Sequence, residues 1–450
     1  MVTQIPRPAG QQDLRTVVAV DHGNEHRRRF RPDDRLLDAP RPAAVLPLRG
    51  LSAMAVVWGP GLLVMLADTD VGNIVTAAQS GTEWGYRLLP LPLLLIMPLY
   101  MIQELAVRLG LFTGQGFGAL VRTHYGVFWG WAAGSALVLT ALGSIVTELV
   151  GIAGVGEMYG VPRWLLLPLA ASGLLLIVLS GRYRRVERIA VVIGLLELSF
   201  LVVAYTAHPH LADIGHDLTH HDYTESHSLY LSAALIGATF NPWMIFYQSS
   251  ALAEKQIGPK HYTAARWDTA IGATLTQILT ASVIIAAAAT LGLHTAGAPI
   301  TGVGEISEAM TPLLGGFTGR LVFGAGVVGA AVVAAIVCSL ALAWGLAEAA
   351  GCGRGGNDTL RRRWFLISYG TGVVGATVLV LLVPDLIWLT IAMQVINALL
   401  MPLVVGLLVV LAARHLPPTA RLRGWYLYAV AGTVAVICAI GLIGALAGTS

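Results

Sequence analysis

Two aspartates, a glycine and an asparagine stand in the middle of an apolar segment of this 450-residue chain. Asp68, Asp70, Gly72 and Asn73 interrupt residues 51–79, which otherwise have the length and composition of a membrane-spanning helix. An ionised side chain at that depth costs several kcal/mol unless it pairs, binds an ion or faces water. These residues therefore predict a functional site, and their oxygen atoms suit a hard cation.

A second apolar segment, residues 229–253, is interrupted in a comparable way. Asn241 precedes Pro242, and proline removes a backbone donor and disfavours helix at the residue before it. Backbone groups freed in this way are tolerated at membrane depth where they are buried in protein or line a cavity. Pro242 alone would be typical of an ordinary kink, but together with residues 70–73 it predicts two broken helices that meet at the midplane.

The composition sets the class of protein. Hydrophobic residues make up 56% of the chain and charged residues only 12%, and its mean hydropathy is +0.72. These values exclude a soluble domain and indicate a membrane protein with many spans. The three cysteines are widely spaced, which argues against a disulfide framework and a zinc site. We find no nucleophile with a base and no metal triad, so we predict that the chain is not an enzyme.

Eleven apolar runs are long enough to cross the hydrocarbon core of a bilayer. With the N-terminus in the cytoplasm, 25 of the 28 basic residues fall in inner segments. This bias predicts that the N-terminus lies inside and the C-terminus outside. The runs are 51–79, 86–109, 126–158, 162–180, 187–207, 228–254, 265–293, 321–350, 364–384, 386–413 and 425–447.

These spans predict an all-α polytopic membrane protein. Interruptions in the first and sixth spans are the sequence sign of a five-plus-five inverted repeat with the substrate site at the midplane, here followed by an eleventh helix. Residues 1–46 are polar and rich in proline and arginine, which predicts a disordered cytoplasmic tail. Residues 47–450 form the predicted transmembrane transporter domain.

Six short motifs follow one another along the chain. They are Asp70-Val71-Gly72-Asn73, Leu105 to Gly114, Thr147 to Gly151, Arg184 to Arg188, Asp268-Thr269, and Gln394 with Pro402. This ordered set resembles the natural resistance-associated macrophage protein (NRAMP) superfamily of divalent-metal transporters, with Val71 in place of the family's proline. The resemblance implies a fold of the LeuT type and covers residues 51–413.

The resemblance also implies a ligand set for a divalent cation. It assigns the side chains of Asp70 and Asn73 and the carbonyl group of Ala67 in the first helix. From the sixth helix it assigns the carbonyl group of Ala238, and Gln394 approaches from the tenth helix in the occluded state. Oxygen donors around one carboxylate form a hard site that suits Mg²⁺, Mn²⁺ or Ca²⁺.

The chain departs from the family in the sixth helix. Asn241 stands where the family has a methionine, and Trp243 stands where it has a histidine. Loss of the soft thioether weakens the preference for Mn²⁺, Fe²⁺ or Cd²⁺ and makes harder ions competitive. A similar loss is seen in the NRAMP-related magnesium transporters, so Mg²⁺ is the first expectation. We predict Asn241 as a further ligand, although it is equally suited to cap a half-helix.

The residues that differ from the family's pattern also bear on proton coupling. The chain keeps Glu148 in the third helix, but Ile145 replaces the other acid that the family has there, and Trp243 and Gln248 replace the histidines. Neither Trp nor Gln can relay a proton near ambient pH, which indicates passive or weakly coupled uptake. We predict Glu148, Asp68 and Trp243 as gate or proton-path residues.

Three further acids lie in apolar segments. We expect Glu197 and Glu348 to be satisfied by hydrogen bonds between helices. Glu104 and Arg108 are four residues apart and are expected to pair on one helix face.

The predicted function is a secondary transporter or facilitator that brings divalent metal cations, Mg²⁺ or Mn²⁺, into the cytoplasm by alternating access. A proton-coupled Mn²⁺/Fe²⁺ symporter and an organic-solute carrier on the same fold are the alternatives. The expected partners are the metal ion as substrate and membrane lipid, with no cofactor and no nucleic acid. The expected location is the plasma membrane, as a bacterial inner-membrane protein, and the expected state is a monomer.

Overall fold

The computed structural model describes residues 60–179, 183–209, 211–219, 226–295, 306, 316–352 and 358–447. The predicted tail at residues 1–46 lies outside these ranges. The helices of the described residues, numbered in chain order, are α1 Pro60–Leu66, α2 Val71–Trp84, α3 Pro90–Thr113, α4 Phe117–Met158, α5 Arg163–Leu179, α6 Tyr183–Gly194, α7 Ser199–Thr206, α8 Leu211–Thr219, α9 Ser226–Thr239, α10 Pro242–Glu254, α11 Tyr262–Thr295, α12 Gly316–Ala349, α13 Asp358–Leu382, α14 Leu386–Arg414 and α15 Gly424–Ala447.

Eight helical segments in the described residues are long and apolar enough to cross a membrane, and the bent pair α1 and α2 would make a ninth. Two shorter apolar helices, Arg163–Leu176 and Leu366–Leu382, occupy the positions of the fourth and ninth predicted spans. The prediction of an all-α membrane fold is confirmed. The orientation inferred from the basic residues stays a prediction.

The first predicted break lies between α1 and α2, whose axes differ by 47°. Asp70 has extended backbone angles, with φ −72° and ψ 171°, and its side chain accepts a hydrogen bond from the backbone N–H of Asn73. This is the geometry of an N-cap, in which a short polar side chain satisfies a donor of the first helical turn. The carboxylate that makes the segment costly in lipid therefore also starts α2.

The second predicted break lies between α9 and α10. Only Phe240 and Asn241 separate the two helices, and Pro242 is the first residue of α10. Proline suits this position because its fixed φ matches the helix and its missing N–H would have no helical partner there. Both interruptions therefore lie at the residues where the sequence predicts them.

Two expectations about acids in apolar segments can be checked in the packing. Glu348 accepts hydrogen bonds from the Ser250 hydroxyl group at 2.7 Å and from the Gly118 backbone N–H at 3.1 Å. Glu104 pairs with Arg108 at 2.6 Å on one face of α3. Both acids have the structural contacts expected of them, and Glu348 ties α12 to α10 and to the start of α4.

A carboxylate that is far away in the sequence holds α1 in place. Oδ2 of Asp268, in α11, accepts a hydrogen bond of 2.8 Å from the backbone N–H of Gly61 in the first turn of α1. Asp268→Ala is expected to destabilise the protein by about 1 kcal/mol because this donor loses its acceptor. The measurement is thermal unfolding of the detergent-solubilised protein. Asp268→Asn retains an acceptor and should restore most of the loss, and equal melting of all three proteins would contradict the prediction.

Candidate cation site

The carboxylate of Asp70 lies at the start of α2 and is fully buried. Its Oδ1 accepts a hydrogen bond of 2.6 Å from the N–H of Asn73, whereas Oδ2 has no hydrogen-bond partner among the described residues. A buried carboxylate oxygen without a partner is costly unless something positively charged neutralises it. The geometry thus leaves one oxygen of Asp70 available to a cation.

Both breaks leave backbone carbonyl groups without their helical donors. The N–H of Val71, four residues after Ala67, donates to Oε2 of Glu148 at 3.3 Å instead of continuing the helix. Pro242, four residues after Ala238, has no N–H at all. The two carbonyl groups that the family resemblance assigns to the site are therefore among those that lose their helical donors at the breaks.

Asn73 is held from two sides. Its Nδ2 donates to the carbonyl group of Asp68 at 3.2 Å, and its Oδ1 accepts from the hydroxyl group of Thr280 at 2.9 Å. An amide oxygen has two lone pairs, so Oδ1 keeps one for a further contact. Thr280 lies on α11 and positions this side chain next to Asp70.

Asn241 belongs to a network of amide groups. Its Nδ2 donates to the freed carbonyl group of Ala238 at 2.8 Å. Nδ2 of Asn397 donates both to Oδ1 of Asn241 and to Oε1 of Gln394, the second bond being 2.8 Å long. The structure thus gives Asn241 the contacts of a local cap, and its role as a metal ligand stays a prediction.

Gln394 lies directly against the first break. A Cβ atom on Gly72 would overlap the Nε2 atom of Gln394, so only glycine permits this approach. Nε2 of Gln394 has no hydrogen-bond partner among the described residues. This approach brings α14 against the first turn of α2, next to Asp70.

Two of the predicted gate residues, Trp243 and Glu148, are related through α4. The indole N–H of Trp243 donates to the hydroxyl group of Ser144 at 2.9 Å, and Ser144 lies one helical turn before Glu148 on α4. All three side chains are buried. Trp243 thus contacts α4 one helical turn from Glu148, and the part of these two residues in gating or proton movement stays a prediction.

The expectation for Glu197 is wrong. Neither of its carboxylate oxygens has a hydrogen-bond partner in the part of the chain that the structure describes, although the residue is fully buried. Glu197 lies in the 3₁₀ turn Leu195–Leu198 between α6 and α7, where side-chain directions depart from those of a continuous α-helix, so helical spacing does not predict its partners.

Sequence reasoning also missed Asn397, Thr276 and Thr280. Asn397 follows Gln394 by three residues in an apolar helix, so the two share a helix face, and this spacing was a usable signal. The two threonines carry no such signal, since hydroxyl groups in membrane helices commonly bond to their own backbone.

The candidate ligands offer carboxylate, amide and carbonyl oxygens and no sulfur. No three His, Cys, Asp or Glu side chains converge on a metal-sized site within the described ranges. A cation at Asp70 would therefore be bound by one carboxylate together with amide and carbonyl oxygens. Such a mixed set is typical of hard cations in membrane transporters.

Comparison with known proteins supports this description. Residues 61–447 match the family model described as natural resistance-associated macrophage protein-like. The chain is similar to the divalent metal cation transporter MntH of Brucella suis biovar 1, with 30% identity over 275 residues. That alignment covers 57% of this chain and 59% of the relative, so it spans less than two thirds of the relative's length.

The fold of this chain is similar to those of solved transporter structures. A manganese transporter of Eremococcus coleocola, in complex with an aromatic bis-isothiourea compound, superposes with a TM-score of 0.69 and 18% identity, over 89% of this chain and 88% of that chain. The nucleobase-cation-symport-1 family transporter Mhp1 in a closed conformation superposes with a TM-score of 0.55 and 15% identity, over 87% and 90% of the two chains. At these identities the likeness is one of fold.

Proposed function

Since this chain belongs to the natural resistance-associated macrophage protein-like (Nramp) family, we propose that it carries divalent metal cations across a membrane by alternating access. The family comprises transporters and not enzymes, and the chain is a multi-pass membrane protein. One observation carries the proposal: the buried carboxylate of Asp70 keeps an oxygen without a partner between two broken helices.

The proposed ligands come from three helical regions. Asp70, Asn73 and the carbonyl group of Ala67 belong to the first break, and the carbonyl group of Ala238 belongs to the second. Gln394 approaches Gly72 and thereby closes the site from α14. Asn241 is the remaining proposed ligand. Binding by its Oδ1 requires that the hydrogen bond from Asn397 be shared or exchanged.

We propose Mg²⁺ and Mn²⁺ as the transported ions. The proposed set lacks the thioether that would favour softer metals, so the chemistry of the donors fits hard cations. Two relatives are named as a divalent metal cation transporter and a manganese transporter, which supports Mn²⁺. Uptake into the cytoplasm would be driven by the membrane potential, at about 4.6 kcal/mol for a dication per 100 mV. The proposed location is a bacterial plasma membrane.

A proton-coupled symporter is the second candidate. Glu148 accepts a hydrogen bond from Val71, the residue that follows Asp70, so these two acids are joined through one peptide unit. Metal binding at Asp70 would act directly on Glu148 through this contact. An organic-solute carrier fits less well, because the uncompensated carboxylates around the first break favour a cation.

Ion flux in proteoliposomes tests the proposal. The purified protein is reconstituted with a metal-sensitive dye or a pH dye inside, and Mg²⁺, Mn²⁺, Ca²⁺ and Cd²⁺ are added outside at a fixed membrane potential. We expect uptake of Mg²⁺ and Mn²⁺ without internal acidification. Acidification in step with metal uptake would favour the symporter, and absence of any metal flux would contradict transport of dications.

A further inference from the structure

A cavity of about 350 Å³ lies between α3 and α11. It is lined by Tyr100 of α3 and by Thr263, Arg266, Trp267 and Ala270 of α11. None of these residues belongs to the candidate cation site. The volume lies at the low end of the range for small-molecule pockets, so the cavity has room for part of one elongated molecule.

The cavity lies on a surface that contacts lipid. Trp267, Ile271 and Ile278 are exposed, and their spacing of four and seven residues places them along one face of α11. On α3, the exposed Met97 precedes Tyr100 by three residues. Large exposed apolar residues on membrane-spanning helices are typical of contact with acyl chains.

Arg266 is fixed in the wall of the cavity. Its Nε donates to Oη of Tyr100 at 3.0 Å, and its guanidinium carbon lies 5.4 Å from the ring centroid of Tyr262. The side chain is still 46% exposed. A guanidinium group has five N–H donors, and the bond to Tyr100 uses only the one on Nε. The terminal nitrogen atoms are therefore suited to the bidentate contact that arginine makes with phosphate.

The charge beside the cavity is positive. Nε of Arg108 lies 2.6 Å from Oε1 of Glu104, and Nε of Arg266 lies 3.8 Å from the same oxygen. One carboxylate neutralises at most one of these two guanidinium groups, so a positive charge remains whether or not Glu104 is ionised. Lys260, exposed in the 3₁₀ turn Pro259–His261 before α11, adds a further charge. An anion is the complementary ligand.

The cavity lies near the end of a span. Arg266 and Trp267 belong to the first two turns of α11, which begins at Tyr262. The orientation predicted from the basic residues puts this end of α11 on the cytoplasmic side, and tryptophan is enriched where a membrane meets water. Basic pockets between helices on this side suit anionic lipid headgroups.

We propose that the cavity between α3 and α11 binds one anionic phospholipid of the surrounding bilayer. Its phosphate group would contact Arg266, and part of an acyl chain would lie in the cavity beside Ala270. A free phosphate ion would gain only the first contact, and the cationic group of a zwitterionic headgroup would meet like charge. The inference requires only that the chain lies in a membrane, so it does not depend on the proposed function.

Native mass spectrometry tests the proposal with the full-length protein, delipidated in detergent and titrated with phosphatidylglycerol or phosphatidylcholine. We expect one phosphatidylglycerol to bind about fivefold more tightly than phosphatidylcholine, as one basic side chain near an anionic lipid surface provides. Arg266→Gln should abolish this preference. Arg320→Gln, at an exposed arginine near the start of α12, is the matched control and should keep it.

A second variant tests the apolar part of the site. Ala270→Phe fills the cavity and leaves Arg266 unchanged, so it should weaken binding of phosphatidylglycerol. Excess inorganic phosphate should not displace the lipid, because the ion makes no contact in the apolar part of the cavity.

Four results would overturn the proposal. They are equal binding of the two lipids by the wild type, an unchanged preference in Arg266→Gln, undiminished binding by Ala270→Phe, and displacement of the lipid by inorganic phosphate, which would indicate a site for an ion alone. If Arg266→Gln does not fold, the results with Ala270→Phe and with inorganic phosphate still decide the question.

Discussion

Asp70→Ala is expected to reduce divalent-cation uptake to the level of liposomes without protein. Asp70 is the only charged ligand of the proposed cation site. Without it, a bound dication would be held by neutral oxygens alone. Loss of one partner of a buried charge pair costs about 3–5 kcal/mol, which corresponds to a loss of affinity of at least about 100-fold. The measurement is Mn²⁺ uptake in proteoliposomes at matched protein content.

Two control variants distinguish the loss of the negative charge at residue 70 from a defect in folding. Asp70→Asn keeps a side-chain oxygen that can accept the hydrogen bond from Asn73, so α2 should start normally while transport is still lost. Asp213→Ala removes an exposed carboxylate in α8 and should leave uptake unchanged. Substantial uptake by Asp70→Ala, from protein that inserts as well as the wild type, would exclude Asp70 as the central ligand.

The two breaks were predictable because each has a local cause in the sequence. Asp70 is an N-cap and Pro242 is a first-turn proline, and both exert their effect within four residues. The long apolar runs likewise predict the helices, since their length and hydropathy are properties of single segments. These features required no knowledge of which helices lie side by side.

The network around the breaks was not predictable in the same way. The bonds from Asn397 to Asn241 and from Thr280 to Asn73 join residues that are 156 and 207 positions apart. Only the packing of α11 and α14 against the broken helices brings these groups together. Glu197 was misjudged for a related reason, because the hydrogen-bond partners of a buried acid depend on which helices pack around it, and no local pattern reveals that packing.

The Asn241→Met exchange should raise transport of Mn²⁺ or Cd²⁺ relative to Mg²⁺. A thioether is a soft ligand that favours transition metals over Mg²⁺, and residue 241 follows the freed carbonyl group of Ala238 by three positions. We expect a change in the ratio of about tenfold, equivalent to about 1.4 kcal/mol. The measurement is competition between the two ions in the proteoliposome assay.

The structure shows why the ratio, and not the absolute rate, is the quantity to compare. Methionine cannot donate to Ala238 or accept from Asn397, so both partners lose the hydrogen bonds that Asn241 makes with them. Asn241→Leu loses the same two bonds and has a similar shape but no sulfur, so any general damage should be equal in the two variants. A shift in ion preference confined to Asn241→Met would therefore report metal contact by residue 241. If both variants select ions as the wild type does, Asn241 acts only as the cap of the broken helix, and the preference for hard ions must arise from Asp70 and the carbonyl groups.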